Sequence, residues 1–281
     1  MRTKNAMQLK AIIRNKAKEE GVPPQLVMQN YLLERLLERI ALSAWRDSVV
    51  IKGGMLISSL VGVDKRSTKD LDTTVRGFPL THENAERAFR EIAAVEADDD
   101  FEFEFVRTED IRETDDYPGI RVHLLANYEK MSSPVTVDVT TGDRITPEAI
   151  EYRYPLMFDD RELSLMAYPL PTTLAEKLET VISRGVANTR PRDYYDLHTL
   201  WLTRRTEIDP SVLGDALAAT SEKRGTRAAM GRYREVMAEV ASDAAMLDRW
   251  AAYARRYPYV GDMTLQEACG TAVAIMGAIG W

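Results

Sequence analysis

The sequence contains little of what several classes of protein require. Its 281 residues include one cysteine, Cys269, and three histidines. A single cysteine excludes an internal disulfide framework and is typical of a reducing compartment, so we expect a cytoplasmic protein. Three scattered histidines disfavour a zinc site. Residues 1–18 lack the apolar block of a signal peptide, and the longest uncharged apolar run, Ala268–Trp281, is too short to span a bilayer. We therefore expect no membrane association.

Positive charge is also in deficit. The chain has 37 lysines and arginines against 44 aspartates and glutamates, which gives a formal net charge of −7. This balance disfavours a protein whose whole surface attracts nucleic acid, but it leaves room for local basic patches. Residues 1–18 carry six basic and no acidic residues, and residues 222–234 carry five basic residues and one acidic residue. Each stretch is either a solvated helix face or a contact for nucleic-acid phosphates.

The order of the predicted elements indicates an α+β fold in two parts. In the first 165 residues, helical periodicity, alternation and short apolar runs predict four helices, five strands and one turn. The helices cover 1–18, 25–43, 55–61 and 82–94, the strands cover 49–51, 70–75, 101–105, 120–124 and 135–140, and the turn covers 127–134. From about residue 171 every predicted element is a helix. We therefore predict a mixed-sheet domain over residues 1–165 and an all-helical domain over residues 166–281.

The most informative stretch contains two aspartates separated by one residue. It reads Ser-Thr-Lys-Asp-Leu-Asp-Thr-Thr-Val over residues 67–75, so Asp70 and Asp72 share one face of the predicted strand. Two adjacent carboxylates repel each other unless a cation lies between them. Mg²⁺, held by one or two carboxylates together with substrate phosphates, is a common solution at phosphoryl-transfer sites. The other interpretation is an acidic pair on a solvated surface.

A glycine pair precedes this motif, between a predicted strand and a predicted helix. Gly53 and Gly54 directly follow Ile51 and Lys52. Glycine allows the backbone to approach a phosphate closely, and the N-terminus of the next helix can face that phosphate. We therefore predict that Lys52, Gly53 and Gly54 bind the phosphates of a nucleotide.

Further charged residues suit the same chemistry. Asp138 alternates with three valines, so it faces away from the core on a strand that we place beside Asp70 and Asp72. It is either a third carboxylate of the site or a cap at a strand edge. Lys177 lies on a predicted helix and could neutralise triphosphate charge, unless it is an ordinary exposed lysine. Asp193 and Asp196 share a helix face, where one could contact the nucleotide and the other could hold a cation; helix capping and a salt bridge are the alternative.

Taken in order, these motifs resemble those of the AbiEii-type nucleotidyltransferase toxin family. The order is Lys-Gly-Gly with a helix, Asp-Leu-Asp, Val-Asp-Val, Glu-Lys-Leu and Arg-Asp-Tyr-Tyr-Asp-Leu, and the resemblance runs from about residue 12 to residue 200. It implies a polymerase-β-like nucleotidyltransferase fold followed by a helical domain. It also implies a bacterial toxin with a cognate antitoxin, often linked to phage defence. Some members add nucleotides to the acceptor end of tRNA, which blocks aminoacylation and translation.

The resemblance also assigns roles to individual positions. Asp70 and Asp72 match the acidic motif, Gly53 and Gly54 the glycine pair, Lys177 the lysine motif, Asp193 and Asp196 the terminal acidic motif, and Asp138, less distinctively, the middle one. Two positions depart from the pattern. Lys69 stands where an acid often precedes the aspartate pair, and Met55 follows two glycines where the polymerase-β-like motif has Gly-Ser. Both changes leave the carboxylate pair intact.

These observations predict a Mg²⁺-dependent nucleotidyltransferase that uses an NTP, with tRNA implied as the acceptor by the resemblance. Asp70 and Asp72 would hold the metal, and Asp138 would join them or act as a base. Asp193 or Asp196 would position the nucleotide or Lys177. Two rivals stay open: the same core could modify a small molecule or a protein hydroxyl, or it could bind a nucleotide or a partner without turnover. At least one of the two basic stretches is expected to contact RNA phosphates at the rim of the cleft.

Overall fold

The computed structural model describes residues 2–62, 64–66, 68–111 and 119–281 of the chain. Met1 of the basic stretch and Ser67 of the acidic motif lie outside the described residues. The chain divides into two compact units: Met1–Asp143 with Ala149–Ala167, and Arg144–Glu148 with Tyr168–Trp281.

Seven strands and four helices make up the first unit as described, and the second unit is helical. The strands are β1 Val49–Lys52, β2 Leu71–Val75, β3 Glu102–Ile111, β4 Gly119–Tyr128, β5 Met131–Thr141, β6 Ile150–Pro155 and β7 Glu162–Ala167. The helices are α1 Ala6–Glu20, α2 Pro24–Leu42, α3 Gly53–Val61, α4 His82–Ala93, α5 Leu170–Arg184, α6 Pro191–Arg204, α7 Pro210–Lys223, α8 Arg227–Met230, α9 Tyr233–Ser242, α10 Ala244–Arg256 and α11 Leu265–Ala278. A mixed sheet followed by helices confirms the predicted α+β class.

The strands of the first unit form one sheet in the order β3-β4-β5-β2-β1-β7-β6. β2 pairs antiparallel with β1 and parallel with β5, as the sequence predicted for the strand of Asp138. Along β5, Val135, Val137 and Val139 are fully buried while the residues between them are partly exposed. Helices α2 and α4 pack on the sheet. The polar residues that alternate with these valines therefore share the opposite face, away from the apolar core.

Helix α2 is buried on nearly all sides, although it carries four charged residues in its centre. Glu34, Arg35, Glu38 and Arg39 are each at most 3% exposed. Arg35 pairs with both glutamates, and Arg39 pairs with Asp99 just before β3. Buried charges are tolerated only when they are paired in this way. The leucine stripe of α2 was predictable from periodicity, whereas the burial of its charged side was not.

The hairpin of β6 and β7 contributes to this burial, and the sequence prediction missed it. The backbone amide of Met157, between the two strands, donates to Glu34 at 2.6 Å, and Arg161 donates to Glu38 at 3.0 Å. Burial also raises the pKa of Glu34. The hairpin therefore adds hydrogen-bond partners for the charged side of α2.

Two further boundaries differ from the prediction. The predicted turn over residues 127–134 is only two residues long, because β4 continues to Tyr128 and β5 begins at Met131. Glu129 makes this tight turn with a φ of 51°. Ser132, Ser133 and Pro134 belong to β5, where they lie opposite residues 125–127 of β4. The acidic strand begins at Leu71, so Asp70 lies immediately before it.

The second unit is built from α5 to α11. Helix α5 packs against α6 and α7, and α11 packs against α6 and α9. Several of these helices begin at sequence signals that fix their first turns, such as Pro191 at the start of α6 and the capping box of Thr264 and Glu267 on α11. Across the described part of the chain, no helix combines the length and apolar character needed to cross a membrane.

Candidate functional site

The acidic motif lies at the centre of the polar sheet face. Asp72 on β2 is directly opposite Lys52 on β1 and directly opposite Asp138 on β5. Directly opposed residues of neighbouring strands project from the same face of a sheet. Asp70 accepts a hydrogen bond from the Thr136 hydroxyl at 2.9 Å, and Thr136 shares the face of Asp138 two residues away. The structure thus brings the three predicted carboxylates to one face.

The glycine pair allows the N-terminus of α3 to lie directly beside the Asp72 carboxylate. Gly53 has a φ of 61°, in the left-handed region that favours glycine. A Cβ atom on Gly53 would lie 2.1 Å from Asp72 Oδ2, and one on Gly54 would lie 2.6 Å from the Thr68 hydroxyl. The Gly54 amide donates to Asp72 Oδ2 at 3.2 Å. The helix N-terminus therefore faces a carboxylate, which is the anion that its dipole and amides favour.

Lys52, predicted to bind phosphate, is held by a residue that the sequence analysis did not single out. Lys52 Nζ lies 2.7 Å from Asp143 Oδ2, and the Thr140 hydroxyl donates to the same oxygen at 2.9 Å. The Lys52 and Asp143 side chains are 13% and 10% exposed. Gly142, with a φ of 76°, makes the turn after β5 that precedes Asp143. The Gly-Asp pair after the Val-Asp-Val strand was the signal that could have revealed this residue.

Asp138 is also paired with a residue that was missed. Arg121 on β4 lies directly opposite Asp138 and donates to both carboxylate oxygens, at 2.7 and 2.8 Å. These hydrogen bonds raise the pKa of the Arg121 guanidinium. A bidentate arginine–carboxylate pair is among the stronger hydrogen-bonded arrangements in proteins. Sequence reasoning missed Arg121 because its importance depends on the register between β4 and β5.

The carboxylates of the polar sheet face are the side chains that could hold a divalent metal. Asp70 and Asp72 provide the hard carboxylate oxygens that Mg²⁺ prefers. Within the ranges that the structure describes, no three acidic, histidine or cysteine side chains are grouped so as to hold an ion by themselves. Mg²⁺ commonly takes only one or two carboxylates and completes its shell with water and substrate phosphates. The aspartate pair fits a metal shared with a substrate, while a cage made by protein groups alone does not form.

The other predicted residues meet in the second unit. Lys177 Nζ on α5 lies 2.8 Å from Asp193 Oδ1 and 2.7 Å from Asp196 Oδ2, both on α6. The Asp196 side chain is 0% exposed. Spacing of three residues places the two aspartates on the same side of α6, where α5 packs. The helical unit therefore contains one ammonium between two carboxylates.

The basic stretch over residues 222–234 is not a simple solvated face. Arg224 forms ion pairs with Glu179, which is buried, and with Glu176, both on α5. Thr226 also donates to Glu179, at 2.9 Å. Reversing the charge of Arg224 would therefore break the packing of the helical unit as well as any contact with RNA. In the other stretch, Lys16 pairs with acids of its own helix.

Comparison with known proteins gives a family and a fold. The sequence matches the family described as nucleotidyl transferase AbiEii toxin, type IV TA system, over residues 35–269. No functionally curated protein matches the chain. The chain is similar to a structure described as a candidate nucleotidyltransferase from H. pylori, with 14% identity, 92% of this chain and 96% of that chain covered, and a TM-score of 0.50.

Two other solved structures are similar to the chain. One is JHP933 from Helicobacter pylori, with 14% identity, 91% of each chain covered and a TM-score of 0.49. The other is an antigenic nucleotidyltransferase-like protein from Paracoccidioides brasiliensis, with 17% identity, 70% of this chain and 92% of that chain covered, and a TM-score of 0.38.

The family match covers most of the chain, including both the sheet unit and the helical unit. The first H. pylori structure shares the fold over nearly the whole length of both chains. The resemblance inferred from the motifs is therefore confirmed, and with it the nucleotidyltransferase fold. Enzymes of this kind use an NTP and a divalent metal. The chain belongs to the AbiEii nucleotidyltransferase toxin family of type IV toxin–antitoxin systems and is a nucleotidyltransferase.

Proposed function

We propose that the protein is a Mg²⁺-dependent toxin that transfers a nucleotide from an NTP to the 3′ end of tRNA and so blocks translation in the cytoplasm. The observation that carries the proposal is the polar sheet face, on which Asp70, Asp72 and Asp138 lie beside the N-terminus of α3. Carboxylates beside a glycine turn suit a metal-bound triphosphate. The RNA acceptor comes from the family alone. A cognate antitoxin and a role in phage defence belong to the same proposal.

The reaction would join an acceptor oxygen to the α-phosphorus of the NTP. The bond between the α-phosphorus and the bridging oxygen breaks, and pyrophosphate leaves with the electron pair. Asp70 and Asp72 would hold Mg²⁺, which when bound offsets phosphate charge and makes the acceptor hydroxyl more acidic. The hydroxyl proton passes to a carboxylate or to water. The Gly53–Gly54 turn would place backbone amides close to the phosphates.

The pairing of Asp138 with Arg121 favours one of its two proposed roles. A carboxylate that accepts two charge-assisted hydrogen bonds from one guanidinium is held in a fixed orientation. The same carboxylate keeps lone pairs that can reach a metal, since each carboxylate has about four acceptor sites. We therefore propose that Asp138 supports the metal and that Arg121 fixes its orientation.

The lysines would bind the triphosphate through charge. Lys52 is oriented by Asp143, and Lys177 by Asp193 and Asp196. An ammonium is a compact point charge, so a lysine whose position is fixed by an aspartate can attract phosphate through its charge. We propose that Asp143 positions Lys52 and that Asp193 and Asp196 position Lys177. These aspartates would act through the lysines and would not touch the reacting atoms themselves.

A labelling experiment tests the proposed function. Purified protein is incubated with total tRNA, each α-labelled NTP and Mg²⁺, with EDTA and the Asp72→Asn variant as controls. Label in tRNA that needs both the metal and Asp72 supports the proposal. Label in a protein or in a small molecule would favour the corresponding alternative acceptor. No label in any fraction, although the NTP binds, would favour a binding module without turnover.

A further inference from the structure

A connected set of aromatic rings lies in the helical unit, and none of the predicted roles uses it. We call it the tyrosine ladder: Tyr195 on α6, Trp250 and Tyr253 on α10, and Tyr257 and Tyr259 after α10. The ring centroids of Tyr253 and Tyr257 are 5.0 Å apart, and those of Tyr195 and Tyr259 are 5.1 Å apart. Tyr257 and Tyr259 are stacked, with centroids 5.3 Å apart and planes 28° from parallel.

The ladder passes from the core of the helical unit to its surface. Tyr195, Trp250 and Tyr253 are at most 8% exposed, whereas Tyr257 and Tyr259 are half-buried. The hydroxyl oxygens of Tyr253 and Tyr259 lie 3.2 Å apart. The inner rings thus fix the outer two in place. Two rigid, partly exposed rings form a stacking surface whose conformational entropy has already been lost on folding.

Cations flank the exposed end of the ladder. Arg255 and Arg256 are exposed in the last turn of α10, and the Arg256 guanidinium lies 5.5 Å from the Tyr257 ring centroid. Among the described residues, neither arginine forms an ion pair. Residues 249–260 contain three arginines and no acid, in a chain with a net charge of −7. The helix dipole by itself favours arginines at a helix C-terminus, so their presence does not require a ligand. The aromatic rings beside them are the feature that points to one.

We propose that the surface of Arg255, Arg256, Tyr257 and Tyr259 binds the unpaired end of an RNA. The tyrosine rings stack on one or two bases, and the arginines contact the flanking phosphates. Aromatic rings next to basic side chains are how single strands are bound without sequence preference. A duplex offers no free base faces, so an unpaired end is the form that this surface fits. This inference rests on the proposed RNA acceptor and names the surface that holds it.

The ladder also connects this surface to the predicted charged cluster of the helical unit. Tyr195 directly precedes Asp196 on α6, and Asp196 holds Lys177. An acceptor end stacked on the outer rings would therefore lie against α6, the helix whose Asp196 pairs with the predicted triphosphate lysine on α5. This connection lies within the helical unit and runs through α10, α6 and α5, which pack in that order.

Binding of labelled RNA tests the proposal with the full-length protein. The probes are a single-stranded RNA of about eight nucleotides and a blunt duplex of the same sequence. Fluorescence anisotropy measures the affinity of the protein for each probe at several salt concentrations. We expect the single strand to bind more tightly than the duplex. Tyr257→Ala should weaken single-strand binding about tenfold, and Tyr257→Phe should retain it, because a ring stacks with or without its hydroxyl. An equal affinity of the protein for both probes, or no binding of the single strand, would overturn the proposal.

Charge reversal distinguishes the contribution of the arginines to RNA binding from that of the rings. The double variant Arg255→Glu with Arg256→Glu should weaken binding and reduce the salt slope by about 1.4, since each phosphate contact on a single strand contributes about 0.7. Tyr257→Ala should leave that slope unchanged. Arg204→Glu with Arg205→Glu is the matched control, because these two adjacent arginines lie at the C-terminal end of another helix, α6, outside both basic stretches. Equal effects of the two double variants would contradict a specific surface.

The labelling assay distinguishes this inference from the proposed function. If the wild type labels tRNA and the ladder variants do so with unchanged KM for tRNA, the inference fails and the proposed function stands. If the variants lose RNA binding while the wild type transfers nothing to RNA, the inference stands and the proposed acceptor fails. A raised KM for the NTP with an unchanged KM for tRNA would assign the rings to the nucleotide base and overturn the inference. Circular dichroism and thermal melting confirm that each variant is folded.

Discussion

The Asp72 carboxylate occupies the space into which any side chain at position 53 would project. A Cβ atom on Gly53 would lie 2.1 Å from Asp72 Oδ2, far inside the contact distance of carbon and oxygen. The residue also has a φ of 61°, so the backbone and the carboxylate both require glycine at this position.

The first prediction concerns this contact. Gly53→Ala should abolish nucleotide transfer, because Asp72 must move, and should cost about 1–2 kcal/mol of stability through the left-handed backbone. Gly77→Ala is a matched control: Gly77 has a φ of 85°, but its Cβ would lie 3.8 Å from the nearest atom, the Ser48 hydroxyl. The control should lose similar stability, measured by urea unfolding, and keep its activity. Equal activity of the two variants would contradict the assigned role of the contact.

The second prediction concerns Asp143 as the partner of Lys52. Asp143→Asn should raise the KM for NTP about tenfold with little change in kcat, because a charge-assisted hydrogen bond contributes about 1.5–3 kcal/mol. The KM for tRNA should not change. Steady-state kinetics with each substrate varied in turn measures both. A lower KM for NTP would mean that Asp143 competes with the triphosphate and does not position the lysine.

The third prediction concerns the buried ion pairs of the helical unit. Asp196→Asn should destabilise the unit by about 3 kcal/mol, since it removes the charge of the fully buried partner of Lys177. Asp193→Asn should cost less, because that side chain is less deeply buried. Urea unfolding followed by circular dichroism measures both losses. Two equally small losses would show that the ammonium does not depend on Asp196.

The fourth prediction is a pH dependence of the helical unit. Burial lowers the pKa of His198, whose Nδ1 lies 2.8 Å from the Thr271 hydroxyl. A folded pKa below the unfolded value means that the neutral ring favours folding. The stabilisation is therefore complete above the ordinary value of about 6.5 and is lost as the pH falls through the depressed folded value.

Hydrogen exchange of the α6 amides at different pH values can detect this loss. The protection of α6 should decline below about pH 6.5, and His198→Gln should flatten the decline, because glutamine does not titrate. His82→Gln is the control, since His82 is exposed and lies in the sheet unit. An unchanged decline in His198→Gln would assign the effect to other groups.

The sequence predicted those features that depend on local spacing. Asp138 alternates with valines and Asp72 follows Leu71 in a short predicted strand, so their faces followed from the period of a strand. The Lys-Gly-Gly turn and the Asp-Leu-Asp motif can likewise be recognised from a few consecutive residues, without knowing which strands pair with them. The α+β class followed from the order of the elements, and the structure confirms it.

The missed features depend on pairs of residues far apart in the chain. Arg121 meets Asp138 only because β4 and β5 pair in one particular register. The burial of the charged side of α2 involves the β6–β7 hairpin, in which β6 carries too many exposed residues for a clear alternating pattern. The tyrosine ladder combines Tyr195 with rings more than fifty residues later in the chain. No local pattern specifies any of these pairs.

The parallel pairing of β2 with β5 also determines how much of the chain must be synthesised before the sheet can form. Asp72 and Asp138 are neighbours in the sheet but 66 residues apart in the chain, and β1 gains its second neighbour only when β7 follows. Until β5 has been synthesised, β1 and β2 form a two-stranded pair, which is marginally stable in water on its own. A ribosome that stops before β5 therefore releases a fragment without the complete acidic face. A chain interrupted at this point lacks both Asp138 and the strand that pairs with β2.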